Sequence, residues 1–573
     1  MTSTSSSKDA GSATLAALML AASWWLPNHH WPWADFYSDA WASLTLFCVA
    51  VAVLWKFRGG RRLDWHLLPL MAMACGVVVG LQYAVGLIEA PGVAWISALY
   101  LLAFTLALQT GAEWEKGESG RCAHFLFLAF LVGAFGSLLV QFQQWLRLDV
   151  GNAFWLFLPA PPRRFHANLG QPNQLASLMC LGVLACAWFH GRKQLPGLVA
   201  WILAAMLAIG LALTESRTSW AVVAFSLFTL VVLRRRVGIN PTLIAGAFGW
   251  VAFFGLCVFA LPHVNVWLGQ TLERQEVRGL AGEMRLDIWR SVWEALMQRP
   301  WFGYGWMQTS MTQFPENPYL VATGGSLRHA HNLFLDLLVF LGIPLGLTVC
   351  AALVAWFGKA FKSIQRPSSL WMLLSVAALG IHAMLEFPLY YAYFLLPLGL
   401  MLGAINVELG FRTYLRTARW PVAGMLTAAG FGWYLTAHDY LPIEENFFSL
   451  RFEHQKLAKP DEDSLPSPVV LTHLQDLLWL GRVDPAKAHS ESDVRRALRI
   501  SKSMPSVVGQ YKLAVMYALT DQPEAAEYWL VAMLRGNEVK PRLALELRRQ
   551  WEEQATDYPS MKRVKWPDRL FEG

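Results

Sequence analysis

The sequence predicts an all-α polytopic membrane protein of about thirteen transmembrane helices, with a long outer loop and a helical soluble domain at its C-terminal end. Three observations carry that class. Of 573 residues, 55% are hydrophobic and only 15% are charged, whereas soluble domains carry about 25% charged residues. The charge is also unevenly spread, with 47 charged residues in the first 437 positions and 40 in the last 136. Third, apolar runs of about 20 residues, long enough to cross a bilayer as helices, recur through the first part. They fall at 12–27, 36–56, 65–88, 92–111, 123–146, 174–190, 196–214, 219–233, 242–262, 332–357, 368–386, 388–408 and 420–437. The predicted division is therefore a membrane domain, 1–437, containing an outer loop at 263–331, and a soluble domain, 438–573. A purely cytosolic enzyme, a disordered chain and a secreted disulfide scaffold are excluded.

Basic residues set the expected orientation, because Lys and Arg are retained on the cytoplasmic side. Alternate loops carry Lys56/Arg58/Arg61/Arg62, Lys116/Arg121, Arg192/Lys193, Arg234/Arg235/Arg236, Lys359/Lys362/Arg366 and Arg412/Arg416/Arg419. Those loops read as cytoplasmic, with the N-terminus inside. An odd number of spans then puts the C-terminal domain outside, which in a bacterium is the periplasm. No Lys falls in an outer loop of the membrane part. Its outer cations are Arg147, Arg163, Arg164, Arg217, Arg274, Arg278, Arg285, Arg290, Arg299 and Arg328. Arginine offers a rigid donor fork that matches phosphate oxygens; avoidance of Lys in translocated loops accounts for the pattern equally well. The seven cysteines lie in or beside spans and form no CxxC pair, so neither a disulfide framework nor a zinc site is expected.

Three outer segments are too polar or too long to be plain connectors. The first contains Arg163-Arg164-Phe165-His166-Ala167-Asn168-Leu169-Gly170-Gln171-Pro172-Asn173-Gln174. Pro172 suits the first turn of a helix. Asn168, Gln171 and Asn173 suit a sugar or an amide partner, and helix capping by Asn173 is the simpler use. The second is the tight turn Thr214-Glu215-Ser216-Arg217-Thr218-Ser219-Trp220. Arg217 there either pairs with a carboxylate or, beside a helix N-terminus, helps to hold an anion. In the long loop, Leu286, Trp289, Trp293, Leu296 and Met297 recur at helical spacing over 283–298. Arg285 precedes Trp289 by one turn and shares that apolar face, so it needs an anionic partner from the protein or from a ligand. The loop ends at Arg328-His329-Ala330-His331-Asn332. His331 reads as a boundary histidine or, since imidazole titrates near neutrality, as a general base. His329 completes a His-x-His pair, but no third His or acidic pair stands near it to build a metal site. Glu386, at the outer end of the eleventh run, is an ionisable group at the membrane boundary and is read as pairing with an outer arginine.

In this order, these residues resemble the bacterial O-antigen ligase and O-oligosaccharyltransferase superfamily, most closely the PglL-type protein O-glycosylation ligases. The resemblance rests on Gly170-Gln171-Pro172-Asn173-Gln174-Leu175-Ala176, on Glu215-Ser216-Arg217-Thr218-Ser219-Trp220, on Arg285 with Trp289 and Gly303-Tyr304-Gly305, and on His331-Asn332 followed by Gly342. It implies a GT-C-like scaffold in the bacterial inner membrane, with its active site on the periplasmic face. The implied reaction is transfer of a whole glycan from undecaprenyl diphosphate to Ser or Thr of a periplasmic protein such as a pilin, without metal or other cofactor. It further implies that His331 is the essential histidine and that Arg217 and Arg285 hold the diphosphate. Arg164, Asn168, Gln171, Asn173, His329 and Glu386 are the remaining substrate-site candidates. The segment 507–535 resembles one tetratricopeptide-like hairpin, suited to contact with an acceptor protein or to capping the membrane domain. Two alternatives stand beside this expectation. One is an O-antigen ligase or polymerase with a saccharide acceptor. The other is a lipid-linked oligosaccharide transporter, which would show internal repeats and charges at mid-membrane.

Overall fold

The structure is a computed structural model that describes residues 3–56, 62–148, 164–269, 280–315, 327–455, 457, 465–537 and 539–567. Arg163, Arg274 and Arg278 of the outer arginine set lie outside the described residues. The helices are α1 (Ser3–Ala22), α2 (Phe36–Lys56), α3 (Leu67–Ala84), α4 (Pro91–Gly117), α5 (Arg121–Leu146), α6 (Pro172–Gly191) and α7 (Gly197–Leu213). They continue as α8 (Arg217–Val237), α9 (Pro241–Trp267), α10 (Leu280–Gln298), α11 (Leu333–Ser363), α12 (Pro367–Ala383), α13 (Ala392–Glu408) and α14 (Trp420–His454). Five more follow: α15 (Thr472–Arg482), α16 (Glu491–Ser503), α17 (Val507–Leu519), α18 (Pro523–Gly536) and α19 (Pro541–Asp557).

Each apolar run of the sequence coincides with one helix, from α1 to α9 and from α11 to α14. Seven of these, α2 to α6, α9 and α11, are long and apolar enough to cross a membrane, and shorter apolar helices lie in α1, α7, α12 and α13. The chain is a helical, multi-pass membrane protein. One departure from an all-α chain is a two-stranded antiparallel ribbon, β1 (Leu63–Trp65) with β2 (Leu415–Thr417). Asp64 on β1 binds Lys116 and Arg416 at 2.6 and 3.0 Å.

The chain forms two compact units. The first comprises Met1–Cys75, Leu99–Gln275 and Ala352–Trp433. Its core is a continuous apolar cluster built by α1, α5, α6, α7, α9, α12 and α13. Without a hydrophobic drive between helices in lipid, close packing needs small residues, and α13 supplies them as Gly399-Leu400-Met401-Leu402-Gly403. A Cβ on Gly403 would stand 1.9 Å from the Leu108 carbonyl oxygen, and one on Gly111 would stand 2.1 Å from that of Leu400. The backbones of α4 and α13 thus touch directly. Glycines of α5 receive the Trp24-Trp25 pair: a Cβ on Gly133 would meet the Trp24 ring at 2.4 Å, and one on Gly136 the Trp25 ring at 2.3 Å. Asp39 of α2, buried, accepts from the Ala392 N–H at 2.6 Å and from the Tyr100 hydroxyl at 2.8 Å. A carboxylate there satisfies a first-turn donor of α13.

The second unit comprises Gly76–Ala98, Glu276–Ala351 and Tyr434–Gly573. Within it the long loop is fastened to the start of α11. The Tyr304 N–H donates to the Val339 carbonyl and the Ile343 N–H to the Pro300 carbonyl, each at 2.7 Å. The approach requires two glycines with positive φ. A Cβ on Gly303 would lie 2.2 Å from the Val339 oxygen, and one on Gly342 would lie 2.2 Å from the Trp301 oxygen. Gln82 at the end of α3 clasps both sides, donating to the Phe340 carbonyl at 2.7 Å and accepting from the Trp306 N–H at 3.0 Å. The sequence expectation of a hairpin over 507–535 is met by α17 and α18, which pack on each other across a turn at 520–522. The expected division at 437/438 falls inside the continuous helix α14.

The backbone contact of α4 with α13 sets an outcome for substitution. Gly403→Ala is expected to lower the melting temperature and the monodisperse yield of the detergent-solubilised protein. Gly358→Ala, where an added methyl meets nothing within 4 Å, is expected to leave both unchanged. Fluorescence-detected size-exclusion chromatography after a temperature series reads the difference.

Candidate active site

The residues singled out in the sequence fall on both units. Arg164, Asn168, Gln171, Asn173, Arg217 and Glu386 belong to the first, and Arg285, His329 and His331 to the second.

In the first unit, the stretch before α6 is a buried turn. Ala167 holds a left-handed backbone, φ 52°, which costs a non-glycine residue about 1–3 kcal/mol and persists only where its surroundings over-determine it. The Gln144 side chain of α5 fixes it from both sides, accepting from the Ala167 N–H at 2.9 Å and donating to its carbonyl at 3.0 Å. Asn168, buried, donates to the Trp25 carbonyl at 2.7 Å, and its own carbonyl meets the His29 ring. The other His29 nitrogen faces Asp35 at 3.4 Å. Burial works against a charged His29, but Asp35 and the carbonyls of Asn168 and Ala34 outweigh it and raise its pKa. Gln171 occupies the N-cap position of α6 without a side-chain cap bond, and Pro172 opens the helix as its first residue.

Asn173 does not cap α6. It accepts from Arg164 Nη2 at 3.1 Å and donates to Glu386 Oε1 at 3.1 Å. Arg164 Nε also donates to the Thr214 carbonyl at 2.8 Å. This brings Arg164, Asn173 and Glu386 together and ties them to the turn that carries Arg217. In that turn Glu215 has φ 50°. The Thr214 hydroxyl accepts from the Ser216 N–H at 3.2 Å, and the Ser219 hydroxyl donates to the Ser216 carbonyl at 2.6 Å. Arg217 is the first residue of α8 and is exposed. A guanidinium at a helix N-terminus, where backbone donors and the positive dipole end also lie, is suited to an anion.

The second unit repeats this construction around its histidine. His331 is left-handed, φ 52°. The preceding residue, Ala330, is fully buried and held from both sides. Its N–H donates to Asp336 Oδ1 at 3.0 Å, and its carbonyl accepts from the Trp289 indole N–H at 2.8 Å. Asp336 also accepts from the Thr309 hydroxyl at 2.7 Å. Asn332 starts α11 by accepting from the Phe334 and Leu335 N–H groups at 3.1 and 3.2 Å. Trp289 lies on α10 one turn after Arg285, so the helix that bears Arg285 is bonded to the residue just before His331. Burial pushes the His329 imidazole well below its ordinary pKa, and the charges of His331 and Arg328 act in the same direction.

Several of these parts lay outside the sequence reading. Asp336 had a usable signal, an acid inside the apolar run that follows His331. Trp289 was read for its apolar face and not for its indole N–H. Gln144 and Thr309 carry no signal beyond residue type. Among the described residues, no group of three His, Cys, Asp or Glu side chains gathers in a way that could hold a metal ion.

Comparison with known sequences follows the same motifs. The family described as O-Antigen ligase matches residues 201–350, the stretch that holds Arg217, Arg285, His329 and His331. The family described as Virulence factor membrane-bound polymerase, C-terminal, matches residues 370–535. A general O-oligosaccharyltransferase of Acinetobacter baylyi is 28% identical over 552 residues, covering 91% of each chain. A ComP-specific O-oligosaccharyltransferase of the same organism is 28% identical over 273 residues, 48% of this chain and 49% of its own. The chain is thus similar along nearly its whole length to an O-oligosaccharyltransferase, and its segment 201–350 matches the O-antigen ligase family.

Proposed function

We propose that this protein is an O-oligosaccharyltransferase that moves a glycan as one piece from a polyprenyl diphosphate, undecaprenyl diphosphate in a bacterium, to Ser or Thr of a periplasmic protein such as a pilin. The observation that carries this reading is the similarity along 91% of the chain to a general O-oligosaccharyltransferase. In this reading all thirteen apolar helices cross the inner membrane and the N-terminus is cytoplasmic. The candidate site and the tetratricopeptide-like C-terminal helices are periplasmic.

The reaction replaces one bond at the anomeric carbon. The acceptor hydroxyl oxygen bonds to that carbon while the carbon–oxygen bond to the diphosphate breaks, and the diphosphate leaves with the electron pair. His331 takes the hydroxyl proton. Arg217 and Arg285 each serve to stabilise the charge that grows on the bridging oxygen. Attack opposite the leaving group inverts the anomeric centre. Arg164, Asn173 and Glu386 support the Arg217 turn through the bonds described above. Asn168 and Gln171, close to Asn173 in sequence, and His329, two residues before His331, are the remaining candidates for contact with the glycan or its acceptor. Guanidinium groups serve where other lipid-linked transferases use a cation, so no metal or cofactor enters the scheme.

A second reading keeps the chemistry and changes the acceptor to a saccharide. It is favoured by the two matched families, whose descriptions name an O-antigen ligase and a membrane-bound polymerase. Mass spectrometry of secreted and pilin-type proteins from a deletion strain, beside a lipopolysaccharide gel, separates the two. Loss of protein glycopeptides with an unchanged gel supports protein glycosylation; the converse supports the saccharide acceptor.

Three outcomes follow for purified protein with a lipid-linked donor. His331→Ala is expected to abolish transfer at unchanged expression and melting temperature; transfer at the wild-type rate refutes the assignment of the base. Arg217→Ala and Arg285→Ala are each expected to lower the rate about 10²–10³-fold, the usual effect of removing one positioned charge stabiliser. Turnover is expected to persist undiminished in EDTA, and loss that added divalent metal restores would replace the guanidinium scheme.

A further inference from the structure

The C-terminal helices are bonded to the long loop at sites that lead, step by step, to His331. Residues 309–313 form a short 3₁₀ turn between α10 and α11. The Ser310 hydroxyl donates to the carbonyl of Ser503, the last residue of α16, at 3.1 Å. The Tyr528 hydroxyl of α18 donates to the Pro315 carbonyl at 2.9 Å. The Phe314 ring packs on the buried Trp529 ring, with centroids 5.2 Å apart. On its other side the same turn presents the Thr309 hydroxyl to Asp336, whose Oδ1 also takes the Ala330 N–H. Ala330 precedes the left-handed His331. All of these residues belong to the second unit.

We propose that α16 and α18 of the C-terminal domain are a brace for the histidine turn, with Trp529 and Tyr528 as positioning residues for transfer. The inference rests on the reading of His331 as the base and extends it, since it gives the C-terminal domain a role in the chemical step besides any contact with the acceptor. The physical argument concerns an unfavourable backbone. A left-handed non-glycine residue persists only where its neighbours over-determine it. Here one carboxylate shares its oxygen between Ala330 and a turn that is itself held by α16 and α18. Loosening that turn frees Thr309, weakens the hold of Asp336 on Ala330 and lets the imidazole leave its geometry. A misplacement of about 1 Å can cost about 10²-fold in rate.

The test uses full-length protein in detergent, with Trp529→Ala, Trp529→Phe and Tyr528→Phe. Two readouts are taken: kcat and KM for a protein acceptor, and hydrogen exchange of the peptide covering 327–333. A brace predicts that Trp529→Ala lowers kcat at least tenfold, leaves the acceptor KM within twofold and speeds exchange at 327–333. Trp529→Phe restores most of the rate, and Tyr528→Phe gives a smaller loss of the same kind. A rise in acceptor KM at unchanged kcat and unchanged exchange would make this surface an acceptor dock and overturn the proposal. So would no change in either readout. Should Trp529→Ala not fold, Tyr528→Phe and Ser310→Ala, each removing one hydrogen bond, carry the same comparison. If the wild type transfers nothing to protein, the reading of function fails, while the exchange experiment still decides the brace.

Discussion

The peptide groups around Ala330 are the constraint on which the turn before α11 depends. An acid and an indole take the two backbone groups of one small buried residue, and the next residue is then held in a conformation that it would not choose alone. The same device occurs in the first unit, where Gln144 takes both backbone groups of Ala167. In each case a side chain from a neighbouring helix substitutes for the regular hydrogen bonds that a helix or strand would give. In each case residues singled out in the sequence follow within a few positions. Backbone strain stored beside functional groups is a recurring arrangement, and here two turns of opposite origin in the chain share it.

The fold was legible in the sequence where hydrophobicity alone decides. Thirteen apolar runs became thirteen helices, and the periodic stretch at 283–298 became α10. Helix ends were less legible: the first run was read to residue 27, and α1 stops at Ala22 because Trp24 and Trp25 turn to dock on Gly133 and Gly136. Contacts between segments distant in the chain left no local trace. The pairing of Leu63–Trp65 with Leu415–Thr417 is one example, and the need for Gly403 to face Leu108 is another. A glycine required by its partner looks, in the sequence, like any other glycine of an apolar helix.

The candidate site divided in the same way. Residue type and order pointed to Arg164, Asn173, Arg217, Arg285, Glu386 and His331, because cations and amides at a membrane boundary are few. Their partners were not legible. Asn173 looked like a helix cap and instead bridges Arg164 and Glu386. Glu386, read as pairing with an outer arginine, also accepts from the Asn173 amide that Arg164 holds. Asp336 stands out in the sequence only as an acid inside the apolar run that follows His331. Its actual partners, Ala330 and Thr309, lie on the other side of a loop, where sequence spacing gives no guide.

The joint between the long loop and α11 has a thermodynamic consequence. Reciprocal backbone bonds close the chain between Tyr304 and Val339 into a ring, and two glycines let the strands of that ring touch. The entropy lost in bringing distant positions together is then spent once, during folding, and its size grows only slowly with the length enclosed. Under the function proposed above, a lipid-linked headgroup meets a histidine turn that is already assembled. The affinity of the ground state need not fund that assembly, so more of the interaction can be reserved for the charge that appears as the glycosidic bond breaks.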